Sequence, residues 1–297
     1  MHVRSRTQIP AFVNPLAGNA PLARAVLRDS GRFEIEDVTP DALANRVRSV
    51  VKEGATRVLV AGGDGSLGAA VEGLLGTRAE LAILPCGTLN HLAKDLSLPL
   101  ELHDAARVAI EGRSIPLDAA SVNGRVFLNT SSVGAYVTFV RARERLEHRI
   151  GYHTASMIAA ARLFVRLPVF RVSLQLSGGW HQYVTPLVFV GVNERELRVP
   201  LFGARLPHGR TGLHVMVVRR RSGARALALA LSAVARGVHA VSRTPAMDTF
   251  LVDSLRIEST TRHAAIDGEI VKVQPPLEYR HVPNSLRVVV PEDQKIV

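Results

Sequence analysis

The sequence predicts an N-terminal three-layer α/β domain with a mostly parallel sheet, followed by a C-terminal, mainly antiparallel β-sandwich domain. Three observations predict it. From Ile9 to about Pro116, short apolar runs alternate with helix-period segments, the pattern of a parallel sheet with helices on both sides. After Pro116, alternating or β-branched runs follow one another with turn signals between them, as in an antiparallel sandwich. The 297 residues, 47% of them hydrophobic, are enough to bury two cores without staples.

Ile9 to Val13 reads as a strand, and Asn14-Pro-Leu-Ala-Gly-Asn19 as the loop into a helix from Pro21 to Leu27. Arg32 to Val38 is a second, more polar strand. Thr39 then caps a helix with Pro40 at its first position, and Gly54 stops it. Arg57 to Ala61 is apolar after its first residue, which fits a strand buried on both faces. Gly62-Gly-Asp-Gly-Ser66 opens a helix running to Leu75. Leu81 to Leu84 is the fourth strand and Pro85-Cys-Gly-Thr88 a turn, with helices at Leu89 to Leu96 and Glu101 to Glu111. The second domain offers strands at Leu117 to Val122, Arg125 to Asn129, Phe170 to Leu176, Tyr183 to Asn193, Leu213 to Val218, Phe250 to Glu258 and Leu286 to Val290. Helices are expected near Ile150 to Val165 and Ala224 to Val241. Arg195 to Gly212 has no clear period and reads as a long surface loop. The expected boundaries are 1–116 and 117–282, with 283–297 returning to the first domain.

Composition excludes several classes. The lone Cys86 can form neither an intramolecular disulfide nor a thiolate zinc cluster, and it reads as a small packed residue. The 11 His show no HExxH spacing, which removes the common zinc enzymes. The first apolar run is too short for a secretory signal, and Ala226 to Val241 is broken by Arg236 and His239 before it could span a bilayer. The formal charge of +11 rests on 33 Arg and 4 Lys. Denser clusters, Arg141, Arg143, Arg145, Arg149 and Arg219-Arg220-Arg221 with Arg225, suit transient docking on anionic lipid at about 1 kcal/mol per basic residue. No aromatic residues interleave with them, so nucleic acid is not the expected partner.

In a parallel sheet, ligands sit beyond the carboxyl ends of the strands, where three special loops fall: Asn14 to Gly18, Gly62 to Ser66 and Pro85 to Asn90. Their glycines let backbone N–H groups approach phosphate oxygens, and the helix beside Gly65 adds its positive end. A P-loop motif is absent. Gly63-x-Gly65-x-x-Gly68 matches the dinucleotide fingerprint, but the next strand ends in Pro85-Cys86 with no acid for a ribose. Asp64 would repel a bare pyrophosphate, whereas a metal-bound triphosphate tolerates it.

These motifs, Asn14-Pro-x-x-Gly18, Gly62-Gly-Asp-Gly-Ser66, Leu84-Pro-Cys-Gly-Thr-Leu-Asn90 and the distant Ile266-Asp-Gly-Glu269, come in one order along the chain. Together the set resembles the diacylglycerol kinase catalytic domain family, and within it the bacterial soluble lipid kinases, related to sphingosine kinases and NAD kinases. The resemblance implies an ATP-binding first domain, a lipid-holding second domain and an active site in the cleft between them. It implies that Asn14, Gly18, Thr39, Gly62, Gly63, Asp64, Gly65, Ser66, Leu67, Gly68, Thr88 and Asn90 bind ATP, with Mg²⁺ reaching Asp64 through the nucleotide. Glu269 would accept the proton of the lipid hydroxyl, Asp267 would shape its turn and share its catalytic role, and Asp118 would face the substrate. The expected reaction is phosphorylation of a membrane lipid, diacylglycerol to phosphatidic acid, by a cytoplasmic enzyme peripheral at the membrane, with a homodimer admitted. A soluble acceptor, as in NAD kinases, and a silent lipid- or nucleotide-binding regulator are the alternatives. The sequence departs from the family at Ser66 (usually threonine), at His91 (often aspartate) and at Leu206 to Gly212, which lacks the acids of a second-domain metal site.

Overall fold

A computed structural model describes residues 8–88, 90–151, 154–155, 158–159, 169–197, 202–206, 209–219 and 247–292. The helix expected at Ala224 to Val241 lies outside the described residues, as do Leu89, Arg220, Arg221, Arg225 and most of the helix expected at Ile150 to Val165. The chain divides into unit 1, Met1–Ala119 with Pro283–Val297, and unit 2, Ala120–Val282.

Unit 1 alternates strands and helices: β1 (Ile9–Val13), α1 (Ala20–Ser30), β2 (Phe33–Asp37), α2 (Pro40–Lys52), β3 (Arg57–Gly62), α3 (Asp64–Leu74), β4 (Glu80–Pro85), α4 (His91–Asp95) and α5 (Leu102–Glu111). Each of the longer helices buries one face. In α1, Ala20, Ala23, Val26 and Leu27 point inward, and in α2, Leu43, Val47 and Val50. Pro40 opens α2 as the sequence predicts, and Thr39 holds the N-cap position without a side-chain capping bond. The strands pair in parallel in the order β2-β1-β3-β4. β3 and β4 are buried from their second residue onward, so they read as continuous apolar runs.

Unit 2 is built from strands. β5 (Arg113–Val122) brings the chain in, and β6 (Arg125–Phe127), β7 (Thr130–Gly134) and α6 (Ala135–Ile150) follow. Next come β8 (Phe170–Leu176), β9 (Gly179–Thr185), β10 (Leu187–Val192), β11 (Arg195–Leu197), β12 (Phe202–Arg205), β13 (Leu213–Val218), β14 (Met247–Val252), β15 (Ser254–Ser259), β16 (His263–Ile266), β17 (Glu269–Lys272) and β18 (Leu277–Val290). One antiparallel sheet has the order β14-β13-β10-β7-β16-β17. In the other, β9, β8, β15 and the first part of β18 pair in that order, also antiparallel. Alternate residues of both sheets, among them Val172, Leu174, Val188, Val190, Ile257 and Tyr279, meet in one core, which makes the unit a sandwich. The last part of β18 lies in unit 1, parallel to β4, with Arg287 opposite Glu80.

Three local expectations are corrected. Arg195 to Gly212 is not one long loop, because Arg195–Leu197 and Phe202–Arg205 pair as an antiparallel hairpin, with an irregular register at Glu196/Leu197 that blurs the period. Tyr183 to Asn193 is two strands. Pro186 cannot donate to a ladder, and the chain changes sheets there, the Thr185 hydroxyl donating to Val218 O at 2.7 Å and accepting the Leu187 N–H at 3.0 Å. Phe250 to Glu258 divides around Asp253 into β14 and β15, which belong to different sheets. The structure adds α6, Ala135–Ile150, which the sequence reading lacks, and residues 154–155 and 158–159 of the helix expected from Ile150 are helical.

Candidate active site

The three loops expected to hold phosphates leave the carboxyl ends of β1, β3 and β4, and the structure ties them together. Asn14 is the first tie. Its Nδ2 donates to Ser66 Oγ at 2.9 Å, its Oδ1 accepts the Leu16 N–H at 3.0 Å, and its own N–H donates to Ala61 O at 3.0 Å. Gly62 must be glycine, since a Cβ there would lie 2.5 Å from Ser66 Cβ. Gly63 and Gly87 form the second tie, backbone against backbone: a Cβ on Gly87 would fall 2.5 Å from Gly63 Cα. The Cys86 N–H donates to Gly62 O at 3.0 Å beside them. Asn90, at φ +50°, grips Gly87 from both sides, accepting its N–H at 2.9 Å and donating to its carbonyl at 2.8 Å.

Asp64 is the third tie. Although it is the first residue of α3, its carboxylate accepts the N–H groups of His91 and Leu92, each at 3.1 Å, and so caps α4. The N-terminus of α3 itself has no side-chain cap, and its first N–H groups have no partner within the helix. A Cβ built on Gly68, inside α3, or on Gly18 meets nothing within 4 Å, so packing within the protein does not require glycine at either position. Open glycine positions beside an uncapped helix start suit the close approach of an anion.

The other expected unit 1 residues are distributed as follows. Ser66 is buried, its hydroxyl engaged by Asn14. Leu67 is a core residue and can offer only its backbone. Thr88 and Thr39 are exposed, Thr39 at the end of β2 beside a shallow groove lined by Val38, Ala42 and Asn45. Thr39 also hydrogen-bonds the Asp41 carboxyl, which is the largest of the effects lowering its pKa. Asp118 is half-buried, and its Oδ1 accepts the Asn284 N–H at 2.8 Å. Cys86 is buried, and burial pushes its thiol up to about 11.

In unit 2, Asp267 and Gly268 form the two-residue turn between β16 and β17, at φ +46° and +90°, with Ile266 paired to Glu269. The Asp267 carboxylate accepts three backbone N–H groups, from Leu128 at 2.8 Å and from Asn129 and Thr130 at 2.9 Å. Burial raises its pKa, against the pull of those three donors and of Arg195. Glu269 is exposed, with Arg125 3.8 Å away.

Sequence reasoning missed Arg195. Placed in an expected surface loop, it is 3% exposed, with Nε donating to Val192 O at 3.0 Å and Nη2 reaching Asn129 Oδ1 at 3.4 Å. Gly191 was the available signal, because a Cβ there would lie 2.7 Å from Arg195 Cδ.

Among the described residues, no group of three or more His, Cys, Asp or Glu could hold a metal ion.

The family described as the diacylglycerol kinase catalytic domain matches residues 8–122. A protein named Probable lipid kinase YegS-like, from Cronobacter sakazakii, is 33% identical over 134 residues, 42% of this chain and 45% of that protein. A diacylglycerol kinase of Staphylococcus carnosus is 34% identical over 89 residues, 29% of each chain. This chain thus spans about half, or less, of the length of these curated relatives. A diacylglycerol kinase crystal structure from Bacillus anthracis superposes with a TM-score of 0.69 at 18% identity, covering 95% of this chain and 96% of that one, which shows the shared fold. Residues 8–122, the stretch that carries the three tied loops and Asp118, thus match the diacylglycerol kinase catalytic domain family.

Proposed function

We propose that the protein is an ATP- and Mg²⁺-dependent lipid kinase that phosphorylates a hydroxyl of a membrane lipid, diacylglycerol first among the candidates. The observation that carries the reading is the tying of three glycine loops at one end of the parallel sheet, with open positions at Gly18 and Gly68. The match to the diacylglycerol kinase catalytic domain family over the same residues supports it.

Bound ATP·Mg²⁺ supplies the phosphoryl group and neutralises much of its charge. In this reading, the N–H groups of Gly62 to Gly68 cradle the phosphates, with Asn14 and Asn90 fixing the loops and Thr39 and Thr88 at the margins. Asp64 lies where the nucleotide's cation would come. The lipid hydroxyl oxygen attacks the γ-phosphorus, the bond to the bridging oxygen of ADP breaks, and the hydroxyl proton passes to Glu269. Asp118 contributes to the acceptor site. The protein's part is positioning and charge stabilisation, which suits a site with few basic side chains.

Among the described residues, no helix is long and apolar enough to cross a membrane. Contact with the bilayer then falls to surface charge. Arg141, Arg145 and Arg149 are exposed at four-residue spacing on α6 and form one basic stripe, suited to transient contact with anionic lipid on the cytoplasmic face. Arg219 contributes less than its neighbours would suggest, being paired with Asp248.

The test is transfer of labelled γ-phosphate from ATP·Mg²⁺ into a total lipid extract by wild type, Asp64→Ala and Glu269→Ala, with products separated by class. A labelled phospholipid lost in both variants is expected. Label in a soluble acceptor alone, or full activity in Asp64→Ala, overturns the reading.

A further inference from the structure

Unit 2 contains a buried cation that the reaction outlined above does not use. Arg195 begins the short strand β11, and its side chain is buried rather than exposed to solvent. Its stem crosses Gly191, where a Cβ would lie 2.7 Å from Arg195 Cδ. Burying a guanidinium is expensive unless its donors find acceptors, and its acceptors include the Val192 carbonyl and the Asn129 side chain.

Asn129 is the link. Its side chain receives Arg195, its backbone N–H donates to Asp267 at 2.9 Å, and its carbonyl accepts the Val192 N–H at 3.0 Å. Asp267 in turn closes the β16–β17 turn onto Leu128, Asn129 and Thr130, and Glu269 leaves that turn as the first residue of β17. Glu269 itself has little to hold it. Its carboxylate is exposed, and its ion-pair partner among the described residues is the exposed Arg125, 3.8 Å away. Its position is set by the turn, and the turn is set by the buried network. A buried charged side chain fixes geometry sharply, since removing it strands the polar groups arranged around it.

We propose that Arg195 is a positioning residue that, through Asn129 and Asp267, fixes the hairpin turn presenting Glu269. The assignment of Glu269 as proton acceptor rests on the kinase reading; the mechanical link from Arg195 to the turn does not.

The experiment compares wild type, Arg195→Met, Arg195→Lys and Gly191→Ala in the full chain, with two readouts. The first is hydrogen exchange resolved over 127–131 and 264–270. Arg195→Met is expected to speed exchange of the Leu128, Asn129 and Thr130 amides about tenfold or more, because a side-chain partner of Asn129, and a charge acting on the carboxylate that protects them, have been removed. Arg195→Lys restores most of the protection. Gly191→Ala, which drives a methyl group into the Arg195 stem without removing the charge, reproduces the loss and keeps the test alive if Arg195→Met fails to fold. The second readout is steady-state kinetics, in which kcat falls about 10- to 100-fold in Arg195→Met while KM for ATP stays within about twofold, a misplacement effect. Unchanged protection of 128–130 in the folded variants overturns the proposal, whatever the melting temperature does. Loss of protection with unchanged kcat overturns the link to catalysis. Absence of lipid phosphorylation in wild type sinks the kinase reading alone, and the exchange data still decide the link to the turn.

Discussion

Asp64 holds the backbone N–H of Leu92 at 3.1 Å with one carboxylate oxygen, while the other oxygen takes the N–H of His91 at the same distance. An acid that opens α3 therefore caps α4, and this side chain joins the second and third loops. Asp64→Ala leaves the start of α4 without its acceptors and should lower stability by about 1–2 kcal/mol, a capping loss. Asp64→Asn can accept only one of the two N–H groups and should fall between. If Asp64 also serves the nucleotide's cation, phosphoryl transfer will drop far more than the melting temperature accounts for. Thermal denaturation beside the lipid assay, on the same preparations, separates the two roles; an activity loss that merely follows the folded fraction leaves Asp64 as a cap.

Two glycines make opposite predictions. In Gly87→Ala, the new methyl group meets Gly63 Cα at 2.5 Å, backbone that cannot rotate away, so the loops must part and both stability and nucleotide affinity should fall. In Gly68→Ala, the methyl meets nothing within 4 Å, and removing a glycine from a helix interior should raise stability by about 0.5–1 kcal/mol. The same methyl would occupy space that the proposed reading gives to a phosphate, so nucleotide binding should weaken as the fold strengthens. Calorimetric unfolding with and without ATP·Mg²⁺ tests both. A Gly68→Ala protein that is more stable and binds nucleotide as tightly as wild type places the phosphates elsewhere.

Cys86 follows Gly62 in the hydrogen bonding of the same loops, but its thiol is buried and pushed up to about 11. At pH 8 about one thiol in a thousand would be ionised, and that fraction is shielded from solvent. Native protein should therefore resist a thiol-specific alkylating reagent at pH 8, and denatured protein should react with one equivalent. Rapid labelling of the native chain would show that the β4–α4 loop opens far more readily than its ties imply.

What could be read from the sequence follows from the range of the forces involved. The strands of unit 1 carry their signal locally, as apolar runs such as Val58 to Ala61, and the loops carry theirs in glycines whose closeness to Ser66 or to each other permits no side chain. The Asp267-Gly268 turn was equally legible, since both residues take positive φ. The hairpin of Arg195 was not. Its pairing breaks at Glu196/Leu197, and its arginine is stabilised by Asn129, 66 residues away, an arrangement that no periodicity encodes. The corner at Pro186 was misread for a related reason: the apolar alternation continues through it, and only tertiary hydrogen bonding by Thr185 shows that the chain has changed sheets.

His214 gives the last prediction. Its Nδ1 accepts the Arg195 N–H at 3.0 Å, a bond that only the unprotonated nitrogen can make. Burial lowers the pKa of His214 below its ordinary 6.5, with Arg195 and Arg210 adding to the effect and Glu194 opposing it. Above pH 6.5 the imidazole is neutral in both folded and unfolded chains, and its contribution to stability is complete. As the pH falls below 6.5, the unfolded chain takes up the proton first, and stability is lost until the folded-state pKa is passed. The melting temperature of wild type should therefore fall more steeply between pH 7 and about pH 5 than that of His214→Gln, whose amide does not titrate. Parallel slopes for the two proteins would mean that the imidazole takes up its proton in the folded chain as easily as in the unfolded one, and that its bond to Arg195 is not what holds the start of β11.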